Sequence, residues 1–531
     1  MSSPAKATPS VPEQPSNATS RLGTGKLVLI CWLLAGAVGL LASRIPLQED
    51  VYILLRHAVN LAQHHEYTYN LGKVDVGVTC HLYAFYLTLI NVFVPSTNAF
   101  ILAIKIGNTL LLTVSMLLFA KVIFGPGAAR FVPCFIVSPF FLLTAANGME
   151  TSMLLMLLAV LFYSARTNPR LSFLCAGLLP WVRPEYCVLS AVLMLIWFLP
   201  DKRKSLTGLA AVLIGSASLL IFNKLLTGNC VNQPILGKAL HHIPNDPHSV
   251  CTRLLDVYIV KNLYLPVGRN SHKLMGIGYS LLFYPAVAFG IWRHRRERTA
   301  WALLAVVGYP IIYVVTGGNP YSFPWYYLTG QLLSLMFLFL VFRSWLTGPR
   351  LVALGTALAL ASGLVATNNI FFRRDKLSIE TGQFLKKIAR PGDSIILEPA
   401  GIIPYYTGLV SYEAVGLAST DVYRYGVKYG HATWMLKFLE DYKPTFIWSR
   451  TKIENGDLEG VGPLTPTEQK WLLDSYVLIE EKHYHPSRKY YEGNALLKKL
   501  SRISRFDSFE SYVYQRIDAR NSNSPPALIT R

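Results

Sequence analysis

The chain has 531 residues, of which 52% are apolar and 15% are charged, and its formal net charge is +20. Because soluble globular domains are about 25% charged, this composition excludes an ordinary soluble protein and indicates a polytopic α-helical membrane protein. The basic residues cluster between apolar segments, as the positive-inside rule predicts, so they require no nucleic-acid partner. Attraction to anionic lipid headgroups is compatible with the same pattern.

The N-terminal part of the chain predicts a polar tail followed by a membrane anchor. Residues 1–25 are rich in Pro and Ser, which indicates a disordered cytoplasmic tail. An apolar segment at about 27–45 predicts the first transmembrane helix. No small-residue cleavage pattern follows this segment, so we expect it to be retained rather than removed as a signal peptide.

A long loop, residues 46–81, follows the first span and begins with an acidic pair, Glu49 and Asp50. Charged groups beside the end of a span are costly to place, which makes the pair a candidate functional site. Residues 51–65 are apolar on one face and polar on the other. This pattern predicts a helix lying on the membrane surface, with a helix packed on other loops as the alternative.

A membrane span needs roughly 20 apolar residues, and further apolar segments supply ten more candidates. They lie at about 99–124, 130–147, 150–165, 171–184, 186–200, 205–226, 275–292, 300–316, 326–343 and 350–368. Placing the basic stretches in the cytoplasm gives about 11 transmembrane helices, within a range of 10–13, in a domain of residues 26–370. A short segment, about 82–96, then dips into the membrane or lies on it, and the first loop is extracytoplasmic.

From residue 371 onward the long apolar segments stop, and helical patterns alternate with short strand patterns. The residues from Ser378 to Ile388 and residues 432–442 predict amphipathic helices. Buried strands are predicted from Ser394 to Leu397 and from Thr445 to Trp448. Alternation of this kind indicates an α/β domain, which we expect to be extracytoplasmic, over residues 371–531.

The seven cysteines show neither CxxC nor Cys/His metal spacing. Four of them lie in or beside apolar segments and are expected to be small core residues: Cys31, Cys134, Cys175 and Cys187. Three fall in segments expected outside the cytoplasm, where their spacing is compatible with one disulfide but does not require it: Cys80, Cys230 and Cys251.

Short motifs occur in order over about residues 45–420. In the first loop they are Glu49-Asp50-Val51-Tyr52-Ile53 with Arg56, Tyr69-Asn70-Leu71-Gly72 and Val76-Gly77-Val78-Thr79. Later motifs are Gly148-Met149-Glu150-Thr151-Ser152, Trp181-Val182-Arg183-Pro184-Glu185, Thr227-Gly228 with Asn232, Pro234, Lys238 and Ala239, Pro391-Gly392-Asp393, and Gly401-Ile402-Ile403-Pro404-Tyr405-Tyr406 with Gly416-Leu417. Together they resemble the GT-C glycosyltransferases, and most closely the branch of bacterial arabinofuranosyltransferase-like membrane proteins.

The resemblance implies a GT-C fold and transfer of a sugar, with inversion at the anomeric carbon, from a polyprenyl-phosphate donor to an extracytoplasmic acceptor. The acceptor would belong to cell-envelope glycan, lipopolysaccharide or glycoprotein assembly, and the protein to the inner (plasma) membrane. Three positions depart from the family pattern: Glu49 replaces Asp, Leu71 replaces Pro, and Lys73 stands where an acidic residue is common. These departures concern the details of donor or acceptor contact rather than the general scheme.

Transfer of a sugar to a hydroxyl requires a base, positive charge near the leaving phosphate, and a dry, oriented site. The resemblance implies that Asp50, which aligns with the second acid of the family motif, is the catalytic base. Glu49 would orient the acceptor or share this role, and Tyr52 would contact substrate. The alternative is a structural N-cap and dipole pair, because acids favour the first turn of a helix.

Four basic residues are candidates for binding the donor phosphate: Arg56, Lys105, Arg183 and Lys238. Lys105 lies early in an apolar segment, where it must snorkel or find a partner. Arg183 is flanked by Pro180 and Pro184 and could hold a phosphate through a bidentate contact. Pairing of Arg183 with Glu150 or Glu185 is the alternative.

Glu150, Trp325 and Tyr326 are further candidates for substrate binding. Glu150 closes a turn between two predicted spans, where it could hold a water, a metal or a basic partner, or cap the next helix. Trp325 and Tyr326 could stack on a sugar, although an aromatic belt at the membrane interface also explains them. No histidine shows zinc spacing, so no metal is assigned. The sequence leaves open whether a divalent cation binds loosely, as it does in some GT-C enzymes.

Two other functions compete with the transferase. A transporter or flippase for lipid-linked sugar is expected to show paired halves and broken helices at the membrane midplane, and the sequence shows neither. A non-catalytic membrane assembly scaffold would make Glu49 and Asp50 dispensable. The long first loop and the terminal α/β domain favour the enzyme.

Overall fold

The computed structural model describes residues 24–125, 128–240, 271–309, 325–368, 371–430, 433–459, 461–484 and 509–521. An apolar helical part extends to Asn368, and an α/β domain begins at Phe371. Residues 1–23 of the predicted tail lie outside the described residues.

The helical part consists of fifteen α-helices within the described residues. They are α1 Thr24–Ser43, α2 Glu49–His64, α3 His81–Phe93, α4 Thr97–Phe124, α5 Val132–Ile136, α6 Pro139–Asn147, α7 Thr151–Thr167, α8 Pro169–Val182, α9 Tyr186–Phe198, α10 Lys202–Thr227, α11 Gln233–Leu240, α12 Ser271–His294, α13 Arg298–Gly308, α14 Trp325–Val341 and α15 Gly348–Asn368. Every predicted span overlaps one of these helices or a pair of them.

Four of the described helices are long and apolar enough to cross a membrane unaided: α1, α4, α10 and α15. A fifth crossing follows if the segments Ala129–Ile136 and Pro139–Asn147, which meet at 63°, form one broken span. The bend lies at Ser138, whose hydroxyl caps the second segment by accepting a hydrogen bond from the Phe141 amide. Several other apolar helices have 10–17 residues, so the predicted count of about eleven full crossings is not confirmed.

Aromatic and aliphatic side chains fill the core of the helical part. Phe135 packs against Phe339 with ring centroids 4.7 Å apart, and Phe162 packs against Trp197 at 5.8 Å. The cysteines expected in this core are placed there, with Cys31, Cys134 and Cys175 buried and Cys187 half-buried. Cys80 and Cys230 are free thiols, and Cys251 lies outside the described residues.

Helix α2 is buried on both faces. Its apolar side packs in one core with Tyr69, Tyr83 and Ile402. Its buried polar residues are Arg56, His57 and Asn60. The predicted helix on the membrane surface is therefore wrong, and the alternative, a helix packed on other loops, holds, because tertiary contacts supply the hydrogen-bond partners of these polar side chains.

The α/β domain contains six helices and seven strands within the described residues. The helices are α16 Phe371–Ile388, α17 Ile402–Thr407, α18 Thr420–Tyr429, α19 Trp434–Tyr442, α20 Pro466–Ser475 and α21 Ile517–Asn521. The strands are β1 Ser394–Leu397, β2 Val410–Glu413, β3 Phe446–Ser449, β4 Asp457–Leu458, β5 Gly462–Pro463, β6 Tyr476–Tyr484 and β7 Phe509–Arg516. The predicted helices and strands of this region correspond to α16, α19, β1 and β3. Their ends agree closely, except that α16 begins at Phe371 rather than at Ser378.

The main sheet has the strand order β2-β1-β3-β7-β6. Strand β1 pairs in parallel with β2 and β3, whereas β7 pairs antiparallel with β3 and β6. Successive side chains of a strand point to opposite faces, and β1 follows this rule. Ile396 lies in the core on one face, and Ile395 and Leu397 lie in the core on the other. The sheet is therefore covered on both sides.

The carboxyl edge of this sheet contacts the helical part. Strands β1 and β2 are parallel, so the residues after Leu397 and the end of β2 at Glu413 lie at the same edge. The backbone amides of Gly401 and Ile402, shortly after β1, both donate to the Glu49 carboxylate in α2. This contact places the α/β domain directly on the start of α2.

Candidate active site

The start of α2 is joined to the motif around Glu150. The amide of Gln48, just before α2, donates to the carbonyl of Asn147 at 2.9 Å. Gly148 follows with φ +77°, and a Cβ there would lie 2.5 Å from the Leu47 side chain. Glycine is thus required at this turn by both conformation and space. This connection brings the start of α2 next to the turn that contains Glu150.

Asp50 lines a crevice of about 80 Å³ between the helical part and the α/β domain. Three other charged side chains line the same crevice: Glu150, Arg183 and Lys238. Its remaining walls come from Ile53 and Leu54 of α2, Gly77 to Cys80 of the first loop, Met149, Pro234, and Leu417 of the α/β domain. The structure thus places together one carboxylate from the predicted acidic pair and two of the four predicted phosphate-binding cations.

Arg183 is held by two carboxylates. It follows the last residue of α8, and its guanidinium contacts the Glu150 carboxylate through both Nε and Nη2. Its Nη1 lies 3.4 Å from Oε1 of Glu185. Burial raises the pKa of Glu185, while the charge of Arg183 opposes that rise. Both pairings predicted as alternatives for Arg183 are therefore present, and they orient its guanidinium at the wall of the crevice.

Lys238 lies on α11, and the segment just before this helix is fixed by a buried polar network. Asn232 donates to the Val78 carbonyl at 3.0 Å and lies 3.1 Å from Nε2 of His81. Asn223 of α10 donates to the Asn232 side chain at 2.6 Å. The network therefore links the first-loop wall of the crevice to the helix that contains Lys238.

Cys80 adds a thiol to the crevice wall. Its side chain is buried, and burial together with the neighbouring Glu150 raises the pKa of the thiol well above its ordinary value. A thiol of this kind stays protonated at neutral pH and is a poor nucleophile. Cys80 is therefore a lining residue rather than a reactive group.

The other members of the acidic motif do not line the crevice. Glu49 accepts hydrogen bonds from the amides of Gly401 at 2.8 Å and Ile402 at 2.9 Å. Tyr52 is buried and packs edge-on against Tyr405, with ring centroids 5.4 Å apart. Glu49 and Tyr52 thus contact the α/β domain, and their roles toward acceptor and substrate stay predictions.

Arg56 lies in the contact between the first loop and the α/β domain rather than at the crevice. Burial lowers the pKa of its guanidinium, and Tyr69 and Asp75 oppose this effect. The guanidinium makes five hydrogen bonds, and each acceptor belongs to the protein. The acceptors are the carbonyl oxygens of Tyr69 (2.5 Å), Leu409 (2.6 Å) and Pro404 (2.9 Å) and the side-chain oxygens of Asn70 (3.0 Å) and Ser411 (3.2 Å).

Lys105 does not line the crevice either. Its ammonium group donates to the carbonyls of Ala42 and Ser43, each at 3.2 Å, and to the carbonyl of Ile45. These carbonyls are the last acceptors of α1 and the turn after it, which a cation stabilises. Lys105 therefore caps the C-terminal end of α1. The sequence predicted that this buried charge needs a partner, and the end of α1 is that partner.

The remaining candidates from the sequence are two aromatic residues and a divalent cation. Trp325 and Tyr326 start α14, and their side chains lie outside the described residues. Among the described residues, no group of three or more His, Cys, Asp or Glu side chains could hold a metal ion.

The site residues predicted from sequence omit the uncharged lining of the crevice, which comes from α2, the first loop and three later segments. The later segments contribute Met149, Pro234 and Leu417, and the first loop contributes the thiol of Cys80. Met149, Pro234 and Leu417 belong to motifs that carried the family resemblance, so the ordered motifs were the signal that could have found them. Cys80 directly follows one of those motifs.

Comparisons with known proteins place the fold. A family described as "Domain of unknown function (DUF8728)" matches residues 368–505, and no curated protein matches the chain. Among solved structures, ArnT from Cupriavidus metallidurans in the apo state is similar with a TM-score of 0.56, 11% identity, and coverage of 92% of this chain and 98% of that chain. The same protein bound to undecaprenyl phosphate has a TM-score of 0.54 at 11% identity, with 92% of this chain and 98% of that chain covered.

The oligosaccharyltransferase from Archaeoglobus fulgidus in complex with Zn and sulfate is also similar. Its TM-score is 0.52 at 10% identity, with 92% of this chain and 88% of that chain covered. ArnT and the oligosaccharyltransferases are GT-C glycosyltransferases. At these identities the similarity shows the fold.

Proposed function

This chain has the fold of the GT-C glycosyltransferases, and from that premise we propose that it moves a sugar from a polyprenyl-phosphate donor to an acceptor hydroxyl outside the cytoplasm. The observation that carries the proposal is the crevice that Asp50, Arg183 and Lys238 all line. A carboxylate and two cations are the groups that such a transfer needs.

Asp50 is the base in this proposal. Its carboxylate takes the proton of the acceptor hydroxyl as the acceptor oxygen attacks the anomeric carbon from the face opposite the phosphate. The new carbon–oxygen bond forms while the bond from the anomeric carbon to the phosphate oxygen breaks, and the electron pair stays on the phosphate. The configuration at the anomeric carbon is inverted.

Arg183 and Lys238 stabilise the departing phosphate in this proposal. Charge that develops on a leaving group is stabilised best by groups already in place, because no reorganisation is then needed during the reaction. The ion pairs of Arg183 with Glu150 and Glu185 supply that preorganisation. Glu150 is accordingly assigned the role of orienting Arg183 rather than of binding substrate itself.

The lipid carrier is the part of the donor that the comparison with ArnT supports, because one of the similar structures is bound to undecaprenyl phosphate. The acceptor belongs in this proposal to the assembly of cell-envelope glycan, lipopolysaccharide or glycoprotein. The protein resides in the inner (plasma) membrane, with the crevice and the α/β domain on its extracytoplasmic side. This side is the one that the positive-inside rule assigns to the first loop.

The test is Asp50→Asn in the full-length protein, assayed with a panel of polyprenyl-phosphate sugars. Removing a general base lowers kcat/KM by roughly 100- to 10,000-fold, and the membrane level of the protein should stay equal to wild type. The matched control is Asp474→Asn, which makes the same change at an exposed position of α20 and should leave transfer intact.

Unchanged transfer by Asp50→Asn removes Asp50 as the base. If the wild-type protein transfers no sugar from any lipid-linked donor, the transferase proposal fails and the transporter or scaffold interpretation takes its place. A flippase assay in liposomes with a fluorescent lipid-linked sugar then separates these two.

A further inference from the structure

Helix α11, which contains Lys238, is short and depends on neighbours for its position. Its eight residues, Gln233–Leu240, span about 12 Å, and isolated helices of this length are not stable in water. Two of its residues contact the α/β domain. Gln233 donates from Nε2 to the Gly416 carbonyl at 2.9 Å. A Cβ at Gly237 would lie 2.8 Å from that same carbonyl oxygen, so the two backbones touch at this point.

The surface that receives α11 is a turn of residues 413–418, here named the Glu413 turn. The buried carboxylate of Glu413 accepts hydrogen bonds from the amides of Val415 at 2.7 Å, Leu417 at 2.5 Å and Ala418 at 3.3 Å. Gly416 has φ +73°, a conformation that favours glycine, and its amide donates to the Glu413 carbonyl at 3.0 Å. The turn is therefore rigid, and Leu417 at its end lines the crevice.

We propose that Gln233, Gly237 and Glu413 are positioning residues that seat Lys238 at the crevice. The α/β domain thereby sets the position of a cation that receives the donor phosphate. This inference rests on the phosphate role of Lys238 in the proposed function. Lys238 directly follows Gly237, so a displacement of the helix at its contact with the Glu413 turn moves the Lys238 backbone by a similar distance.

The contact between α11 and the turn is a specific one. Three amides satisfied by one carboxylate fix the shape of the turn, and the absence of a side chain at Gly237 permits the close approach. A general packing role would be served by any well-fitting apolar surface. Here a polar side chain, Gln233, is buried to reach one carbonyl, and burying a polar group is favourable only when it is hydrogen-bonded.

The experiment measures binding of undecaprenyl phosphate to the purified full-length protein. Gln233→Ala removes one hydrogen bond and should weaken binding about 2- to 12-fold. Gly237→Ala should weaken it as well, because the added methyl group pushes α11 off the turn. Gly36→Ala is the control, since a Cβ at that helical position meets nothing within 4 Å, and binding should equal wild type.

The decisive comparison is a double-mutant cycle. If Gln233 and Gly237 act through Lys238, adding either substitution to Lys238→Ala should cause no further loss of binding. In a transfer assay the same single variants should raise the donor KM more than they lower kcat. Glu413→Gln tests the turn itself, and Gln233→Ala keeps the test valid if Glu413→Gln fails to fold.

Additive losses in the cycle overturn the inference, because the substitutions then weaken binding without acting through Lys238. Equal binding by wild type and Lys238→Ala overturns it too, since no phosphate contact is then left to position. The proposed function is judged separately, by transfer. A protein that binds undecaprenyl phosphate with the expected coupling but transfers no sugar refutes the enzyme and leaves the positioning role intact.

Discussion

Replacement of Arg56 by lysine tests whether this residue holds the first loop to the α/β domain or binds the donor. The substitution keeps one positive charge but reduces five donors in a planar fork to three on a flexible stem. In the structure all five hydrogen bonds of Arg56 are made to the protein. At least two of these acceptors must therefore lose their donor.

The magnitude follows from that count. A hydrogen bond involving a charged group contributes about 1.5–3 kcal/mol, so the loss of two costs about 3–6 kcal/mol of the free energy that holds the contact closed. Hydrogen exchange at the Ser411 amide measures this loss directly. That amide donates to the Asn70 side chain at 2.9 Å, and the Ser411 hydroxyl accepts from Arg56. A loss of 3 kcal/mol lowers the protection of such an amide against hydrogen exchange by roughly 100-fold.

The assay is hydrogen–deuterium exchange of the purified protein, followed at peptides covering residues 69–70 and 409–411. Arg424→Lys makes the same change at an exposed position of α18 and should leave these peptides unaffected. A donor-binding role predicts the opposite pattern for Arg56→Lys, because lysine also binds phosphate as a point charge. Unchanged exchange at residues 409–411 in Arg56→Lys would refute the structural role.

Two further predictions concern the same contact region. Burial lowers the pKa of His57 to about 4, so the ring stays neutral in the folded state at pH 5. In the unfolded state the ring gains a proton below about pH 6.5. The free energy of unfolding should therefore fall by about 2 kcal/mol between pH 7 and pH 5. His57→Gln should remove that portion of the pH dependence in thermal unfolding, and an identical pH slope in the variant would contradict the assignment. Gly401→Ala places a Cβ 2.0 Å from the Glu49 carbonyl oxygen and should destabilise the protein by about 1–3 kcal/mol, whereas Gly36→Ala should not. A melting temperature of Gly401→Ala equal to wild type would show that this contact is not made.

The sequence was sufficient to predict what local patterns encode. Apolar length located most helices of the helical part, and the change to alternating short segments located the α/β domain. It did not locate α11, which lies in a segment predicted as a loop between two spans. Strand β1 was predicted at Ser394 to Leu397, the bounds that the structure has, because a short apolar segment follows a Pro-Gly turn. The number of full crossings could not be obtained in this way, since neighbouring short helices and a bent pair share the apolar pattern of complete spans.

The contacts that define the site come from residues far apart in the chain, which a periodic pattern does not encode. Arg56 bonds to residues more than 340 positions later, at Pro404, Leu409 and Ser411. An amphipathic helix that packs on another domain has the same sequence pattern as one that lies on a membrane. For that reason α2 was predicted at the membrane surface. The contacts of Lys105 with the end of α1 likewise join residues about sixty positions apart, which the sequence pattern does not encode.

The two acids of the motif have separate tasks in the fold, and helix geometry explains the separation. Adjacent residues of an α-helix point about 100° apart, so Glu49 and Asp50 cannot face the same surroundings. Glu49 accepts two amides of the α/β domain, while Asp50 lines the crevice. Glu49, which binds the α/β domain, is therefore directly next to the proposed base in the sequence. On the other side of the crevice the Glu413 turn of the same domain contacts the helix of Lys238. We therefore expect a rotation of the α/β domain to move Asp50 and Lys238 together, and so to change the distance between the proposed base and the proposed phosphate-binding cation.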